Sequence, residues 1–169
     1  GAAFFGRSFK MHNARKVASR WEGTIDAYGM STGGLECLPA NIRWMGFADP
    51  ALEMYRYRVV FASAMTALEA VAAGRLVICG HDQGGYVPEG RLVLPDAMSA
   101  LSQRQFWFSH TDPGKALEAD ADQVYYWFGR AMAEEFTRER RKMRAYVEKY
   151  HDMEKQCTAI RAVYERTLM

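Results

Sequence analysis

An α/β fold, a parallel sheet with helices on both faces, is predicted by three observations. Short apolar segments alternate with helical periodicity from residue 1 to residue 95. The strand-like segments are continuously apolar rather than alternating, as strands covered on both faces are. Glycine, or an Asp-Pro pair, stands at most of the boundaries. Strand–helix–strand order of this kind implies right-handed crossovers. Ligands then bind at the carboxyl ends of the strands.

Each element has its own signal. Ala2-Ala3-Phe4-Phe5 reads as a strand ended by Gly6-Arg7. Met11, Ala14, Val17, Ala18 and Trp21 recur at helical spacing, and Gly23 is expected to stop that helix. Thr24 to Tyr28 is a second strand, and Ser31 to Ala40 a loop with Gly33-Gly34 and Pro39. Asn41 to Met45 is a third strand, ended by Gly46. Asp49-Pro50 opens a short helix to Tyr55, Asp as cap and Pro in the first turn. Val59-Val60-Phe61-Ala62 is a buried strand. Ser63 or Thr66 caps a helix through Ala73, closed by Gly74. Leu76 to Cys79 is a strand, and Arg91 to Leu94 a last one. Beyond Pro95 the pattern is helical, over 96–105, 114–135 and 137–167.

Composition narrows the function classes. With 169 residues, 49% hydrophobic and 25% charged, the chain is expected to form one domain with a substantial core. A net charge of +2 gives no strong field that argues for nucleic acid or an anionic membrane. Cys37, Cys79 and Cys157 have neither zinc nor redox spacing. His12, His81, His110 and His151 are scattered, and Glu118, Asp120 and Asp122 lack metal-ligand spacing, so no metal and no cofactor is expected. No apolar run reaches the ~18–20 residues of a membrane span. Arg138, Arg140, Arg141, Lys142 and Arg144 cluster as a surface that touches anionic lipid or nucleic acid would, but Glu134, Glu135 and Glu139 interleave with them at helical spacing, which favours a salt-bridged exposed face. Tyr125, Tyr126, Trp127, Phe128 and Met132 form an aromatic band expected to pack in the core or against another domain. The chain starts Gly1-Ala2-Ala3 and enters an apolar segment at once, as a piece of a longer protein would.

The run "TALEAVAAGRLVICG", Thr66 to Gly80, places one acid, Glu69, in a small apolar stretch before a strand. A carboxylate drawn into the fold is expected there, within the first turns of the helix. The helix dipole favours an acid at that end by about 0.3–1 kcal/mol. At the rim of the sheet a carboxylate accepts two hydrogen bonds from a vicinal diol such as a ribose. The alternative is an ordinary helix-surface glutamate.

Residues 41–87, "NIRWMGFADPALEMYRYRVVFASAMTALEAVAAGRLVICGHDQGGYV", resemble the nucleotide-sugar-binding half of GT-B glycosyltransferases, particularly those of family 4. The matching pieces are Gly46-Phe47, Val59–Ala62, Leu68-Glu69-Ala70-Val71-Ala72-Ala73-Gly74, Leu76-Val77-Ile78 and Gly84-Gly85. "FFGRSFK" and the closing "VEKYHDMEKQCTAIRAVYERTL" are similar to the family's first strand and last helix. The resemblance implies a Rossmann-like donor domain spanning 1–169, the C-terminal half of a two-domain enzyme. It implies that Glu69 binds the ribose of a UDP- or GDP-sugar. Arg7 and Lys10 would neutralise the diphosphate, Thr66 and the backbone N–H groups near Met65 would meet phosphate oxygens, and Gly84-Gly85 would lie by the donor sugar. Each has a plainer reading: surface charges for Arg7 and Lys10, a cap for Thr66, a turn for the glycines.

The implied activity is metal-independent glycosyl transfer to a glycan or lipid acceptor held by a missing N-terminal domain. That domain would supply the acceptor base, so none is named here. A cytoplasmic location follows, with peripheral membrane association of the parent admitted. Two features depart from family 4. Phe61 stands eight residues before Glu69, where the family has a first glutamate, and Gly-Phe-Gly-Leu is missing. Ser63-x-x-Thr66-x-x-Glu69 is closer to transferases building lipid-linked peptidoglycan precursors. The Phe61 change motivates the alternative of a non-catalytic nucleotide- or sugar-binding module. A nicotinamide-dependent oxidoreductase is disfavoured, since no Gly-x-Gly-x-x-Gly follows the first strand. A helical interaction domain built on 114–168 is a further rival.

Overall fold

The computed structural model describes residues 1–6, 11–31, 33, 35–79, 90–103, 121–152, 154–155 and 157–158. Six strands form one sheet: β1 (Ala2–Phe5), β2 (Ile25–Tyr28), β3 (Ile42–Gly46), β4 (Val59–Ala62), β5 (Leu76–Cys79) and β6 (Arg91–Leu92). Their spatial order is β3-β2-β1-β4-β5-β6. The first five are parallel. The last expected strand is shorter than Arg91–Leu94 and runs antiparallel, Leu92 facing Ile78. The sheet is therefore mixed at one edge.

The chain builds β1, β2 and β3 outward, then returns to lay β4 on the other side of β1. That reversal is a topological switch point, and the strand ends there splay apart into a crevice.

Both faces are covered, which explains the continuous apolar strands. Ala2, Phe4, Val59, Phe61, Leu76 and Ile78 point to one side. They meet Met11, Ala14 and Val17 around α1 (His12–Ala18), and Val124, Phe128 and Ala131 of α5 (Ala121–Ala133). Alternate residues Ala3, Phe5, Val60, Ala62, Val77 and Cys79 point to the other side. There α3 (Ala64–Ala72), α4 (Met98–Gln103) and α6 (Thr137–Tyr150) supply Leu68, Val71, Met98, Leu101, Met143 and Val147.

Phe128 stacks on Phe61 at 5.8 Å and meets Trp21 edge-on at 4.9 Å, so the core reading of the aromatic band holds at Phe128. Tyr126, by contrast, is 57% exposed. The Arg130 guanidinium lies over Tyr126, Trp127 and Phe136 while pairing twice with Glu134, at 2.6 and 2.7 Å. Arg58, at the foot of β4, donates to the Ala131 carbonyl at 2.8 Å and to that of Glu134, tying the end of α5 to the sheet.

Besides the short β6, α4 begins at Met98 rather than at 96, and boundaries differ from expectation in three further places. α1 ends at Ala18, not at Gly23. The expected loop 31–40 contains a 3₁₀ turn, Leu35–Cys37. The expected helix 137–167 stops at Tyr150, with His151 and Asp152 non-helical and helical residues resuming at 154–155 and 157–158. Other boundaries follow the sequence. The Asp49 carboxylate accepts from the Ala51 N–H at 2.9 Å and opens α2 (Pro50–Glu53), followed by a 3₁₀ turn to Arg56. Gly74, at φ +70°, ends α3. Its N–H reaches the Val71 carbonyl and that of Arg75 reaches Ala70, a paired closure that needs a left-handed residue.

Candidate functional site

The switch point holds an open cleft of ≈ 190 Å³. Phe5 and Tyr28, opposite each other in the β1–β2 register, form its floor. Their rings stack at 4.7 Å and 8°. Gly6, Gly29 and Met30 follow from the same two strand ends. Phe47, Ala48 and Pro50, between β3 and α2, make one wall, and Thr66 of α3 closes the other side. Phe47 is 82% exposed at the cleft edge.

Polar contacts behind the floor fix it. The Tyr28 hydroxyl lies 2.7 Å from that of Tyr57 and donates to Glu53 at 3.3 Å. Tyr57 donates to Asp26 at 2.8 Å, and Arg43 donates to the same carboxylate at 2.9 and 3.0 Å. Burial, then the hydrogen bonds with Tyr28 and Asp26, push the Tyr57 phenol well above its usual range.

At the wall, β4 passes into α3 through Ser63 and Ala64. Ser63 has capping backbone geometry, yet its side chain makes no cap bond, and the first turn of α3 carries no acid. Thr66 is half-buried against the cleft and does not cap the helix. Among the described residues, Ala64 alone is a non-glycine with positive φ, +53°. A left-handed alanine costs roughly 1–2 kcal/mol. Strain of this kind collects at ligand-holding turns. Ala64→Gly is therefore expected to leave the unfolding midpoint unchanged or higher. Inside a helix the same change loses about 1 kcal/mol. Urea denaturation of the variant checks this.

Glu69 corrects two expectations. It is exposed rather than drawn into the fold. It is the sixth residue of α3, beyond the first turn to which the dipole effect is confined. It shares a helix face with Thr66, three residues earlier, and so stands beside the cleft mouth. Partial desolvation, followed by the like charge of Asp49 at the start of α2, raises its carboxyl above the ordinary glutamate range.

Met65, the residue before Thr66, is 64% exposed. Of Met65, Thr66 and Glu69, Thr66 alone lines the cleft, while Met65 and Glu69 are exposed on the same helix. Arg7, Lys10, Gly84 and Gly85 lie outside the described residues, as do His81, Asp82, His110, Glu118 and Asp120. Among the described residues no three His, Cys, Asp or Glu side chains come close enough to hold a metal. No described helix is long and apolar enough to cross a membrane. Sequence reasoning missed Phe5 and Tyr28 as site residues and used Phe47 only as part of a motif.

No family model and no curated protein matches the chain. The six-stranded, mostly parallel sheet flanked by helices has the architecture of a Rossmann-like half of a GT-B glycosyltransferase. Among solved structures the chain is similar to the pneumococcal O-GlcNAc transferase GtfA, crystallised with UDP and GlcNAc, at a TM-score of 0.54 and 18% identity. The match covers 96% of this chain and 35% of that one. At that identity the likeness is one of fold; family 4 membership is not shown by it.

Proposed function

We propose that this domain binds the nucleotide part of a nucleoside-diphosphate sugar, as the donor half of a glycosyltransferase whose acceptor domain lies elsewhere in the protein. The observation that carries the proposal is the cleft at the switch point. A buried Phe5–Tyr28 stack and the exposed Phe47 adjoin a helix start whose serine makes no side-chain cap bond and whose first turn carries no acid. The exposed Phe47 ring suits the face of a nucleobase, with the Phe5–Tyr28 stack as apolar support beneath it. The Ser63–Thr66 turn suits phosphate oxygens. Glu69, one turn further along the same face, suits the ribose diol.

Arg7 and Lys10 would add cationic charge to the leaving diphosphate, doing the work a metal does in other transferases. Transfer itself would break the anomeric C–O bond to the diphosphate and form one to an acceptor hydroxyl, on a glycan or lipid. The acceptor base would belong to the other domain.

Unfolding temperatures with UDP, GDP, dTDP, ADP and CMP test the reading. One diphosphate at about 100 times its Kd is expected to add about 2.7 kcal/mol, a rise of roughly 5–10 °C. Glu69→Ala is expected to weaken that ligand about 10- to 100-fold, the worth of hydrogen bonds to a charged acceptor. Because the Glu69 carboxyl sits above its ordinary range, affinity is expected to fall on acidification earlier than a free glutamate would make it. Glu69→Gln should abolish that acid-side loss. No response to any nucleotide, or equal affinity in Glu69→Ala, sinks the proposal.

One observation favours the non-catalytic alternative. Phe61 is 2% exposed and stacked on Phe128, so this position faces the core and not a ligand. Sugar-nucleotide binding without turnover in the whole protein would select that alternative.

A further inference from the structure

α6 presents an unneutralised basic stripe. Met143 and Val147 are buried on the side that meets α3, with Tyr146 half-buried beside them. At 3.6 residues per turn, Arg138, Arg141, Lys142 and Lys149 fall within an arc of about 100° on the opposite side, along about 16 Å of helix. All four are exposed.

The acids expected to neutralise this cluster are engaged elsewhere or stand aside. Glu134 is held by Arg130 of α5. Glu148, on one flank of the arc, is held by Arg144 at 2.8 Å. Glu139 lies on the other flank, and Glu135 precedes the helix. Among the described residues Arg138, Arg141 and Lys142 form no ion pair. Lys149 lies over the ring of Tyr150, which is 51% exposed at the end of the stripe.

We propose that this face of α6 docks on an anionic lipid surface. The chain's net charge is only +2, so the attraction comes from this local concentration and not from a general field. One side of α6, at Met143 and Val147, is packed against the domain, so the cations are presented as a single exposed face. No aromatic residue is interleaved within the basic arc, as a single-strand platform would require. A plane of lipid headgroups needs only a face, and an exposed tyrosine beside lysine suits the headgroup level. Each cation near such a leaflet strengthens binding roughly fivefold.

The test is co-sedimentation of the 169-residue chain with phosphatidylcholine vesicles, with and without phosphatidylserine. Binding is expected only to the anionic vesicles, falling steeply with added salt. Arg138→Gln, Arg141→Gln, Lys142→Gln and Lys149→Gln together should weaken it at least 30-fold without moving the thermal midpoint or any nucleotide response. Lys142→Arg alone should retain it. No binding to anionic vesicles, full binding by the fourfold variant, or tighter capture by duplex DNA at the same salt each overturns the proposal.

Discussion

Gly29→Ala is expected to lower stability by about 3 kcal/mol and to remove any nucleotide response. Gly29 follows β2 at φ +138°, a conformation that side-chain-bearing residues rarely adopt. A Cβ there would stand 1.9 Å from the Gly6 carbonyl oxygen and 2.8 Å from its carbon. Backbone cannot rotate away as a side chain would. The Gly29 N–H also donates to Gly46 at 2.8 Å, and the Gly6 N–H to Tyr28 at 3.0 Å, so three strand ends are laced at this point. Relieving the clash pulls that lacing apart and displaces two walls of the cleft together.

A thermal midpoint roughly 6–12 °C lower is expected for a chain of this size. Gly33→Ala separates strain from clash. Gly33 also has positive φ, +99°, but nothing lies within 4 Å of its would-be Cβ. Its cost should stay near 1 kcal/mol. Equal midpoints for Gly29→Ala and Gly33→Ala would show that the close approach to Gly6 is unimportant.

Local features of this fold were legible before the structure was known. Asp49-Pro50 announces its own helix start, and the Ala51 N–H bond to Asp49 is the physical content of that signal. The buried strands announce themselves because both faces are covered. The direction of β6 was not read, although a constraint on it was present. Only 11 residues separate Cys79 from Arg91. A parallel return needs about a dozen or more. The end of α6 carries no glycine or proline, and residues 151–158 keep a helix-like composition, so nothing local marks the break at His151.

The site was legible only where it lies within one segment. Ser63, Thr66 and Glu69 stand on one strand–helix turn and could be read together. Phe5 meets Tyr28, and Asp26 meets Arg43, through strand register between segments 17 to 23 residues apart. No spacing rule in a single sequence reports such pairs. The aromatic floor and the contacts behind it follow from the strand order, which only the folded chain supplies.

Those contacts make Asp26 the second position of large effect. Its carboxylate is 9% exposed as a residue and accepts three hydrogen bonds, two from Arg43 and one from Tyr57. The Arg43 side chain is 63% exposed, so water screens the ion pair and its Coulomb part is modest. The heavier loss in Asp26→Ala is the buried Tyr57 hydroxyl left short of an acceptor, together with the space vacated. About 2–3 kcal/mol is expected.

The pH dependence gives the sign. Burial alone would raise the Asp26 carboxyl. The Arg43 and Tyr57 hydrogen bonds and the charges of Arg43 and Arg56 outweigh that and hold it below the usual aspartate range. A carboxyl depressed on folding contributes stability that is complete above its unfolded pKa and is lost as pH falls through the folded one. Arg43→Ala removes the largest of the opposing effects and leaves only the Tyr57 hydrogen bond and the Arg56 charge against burial. The carboxyl should then sit higher than in the wild type, and the stability difference between the two proteins should widen from pH 3 to pH 6. Urea midpoints across that range check it. A difference that does not change with pH would mean that Arg43 acts through packing alone. Nucleotide affinity measured on Tyr57→Phe then asks whether the hydroxyl chain also sets the tilt of Tyr28. A loss of affinity at unchanged stability would place that chain in the recognition of the ligand rather than only in the core.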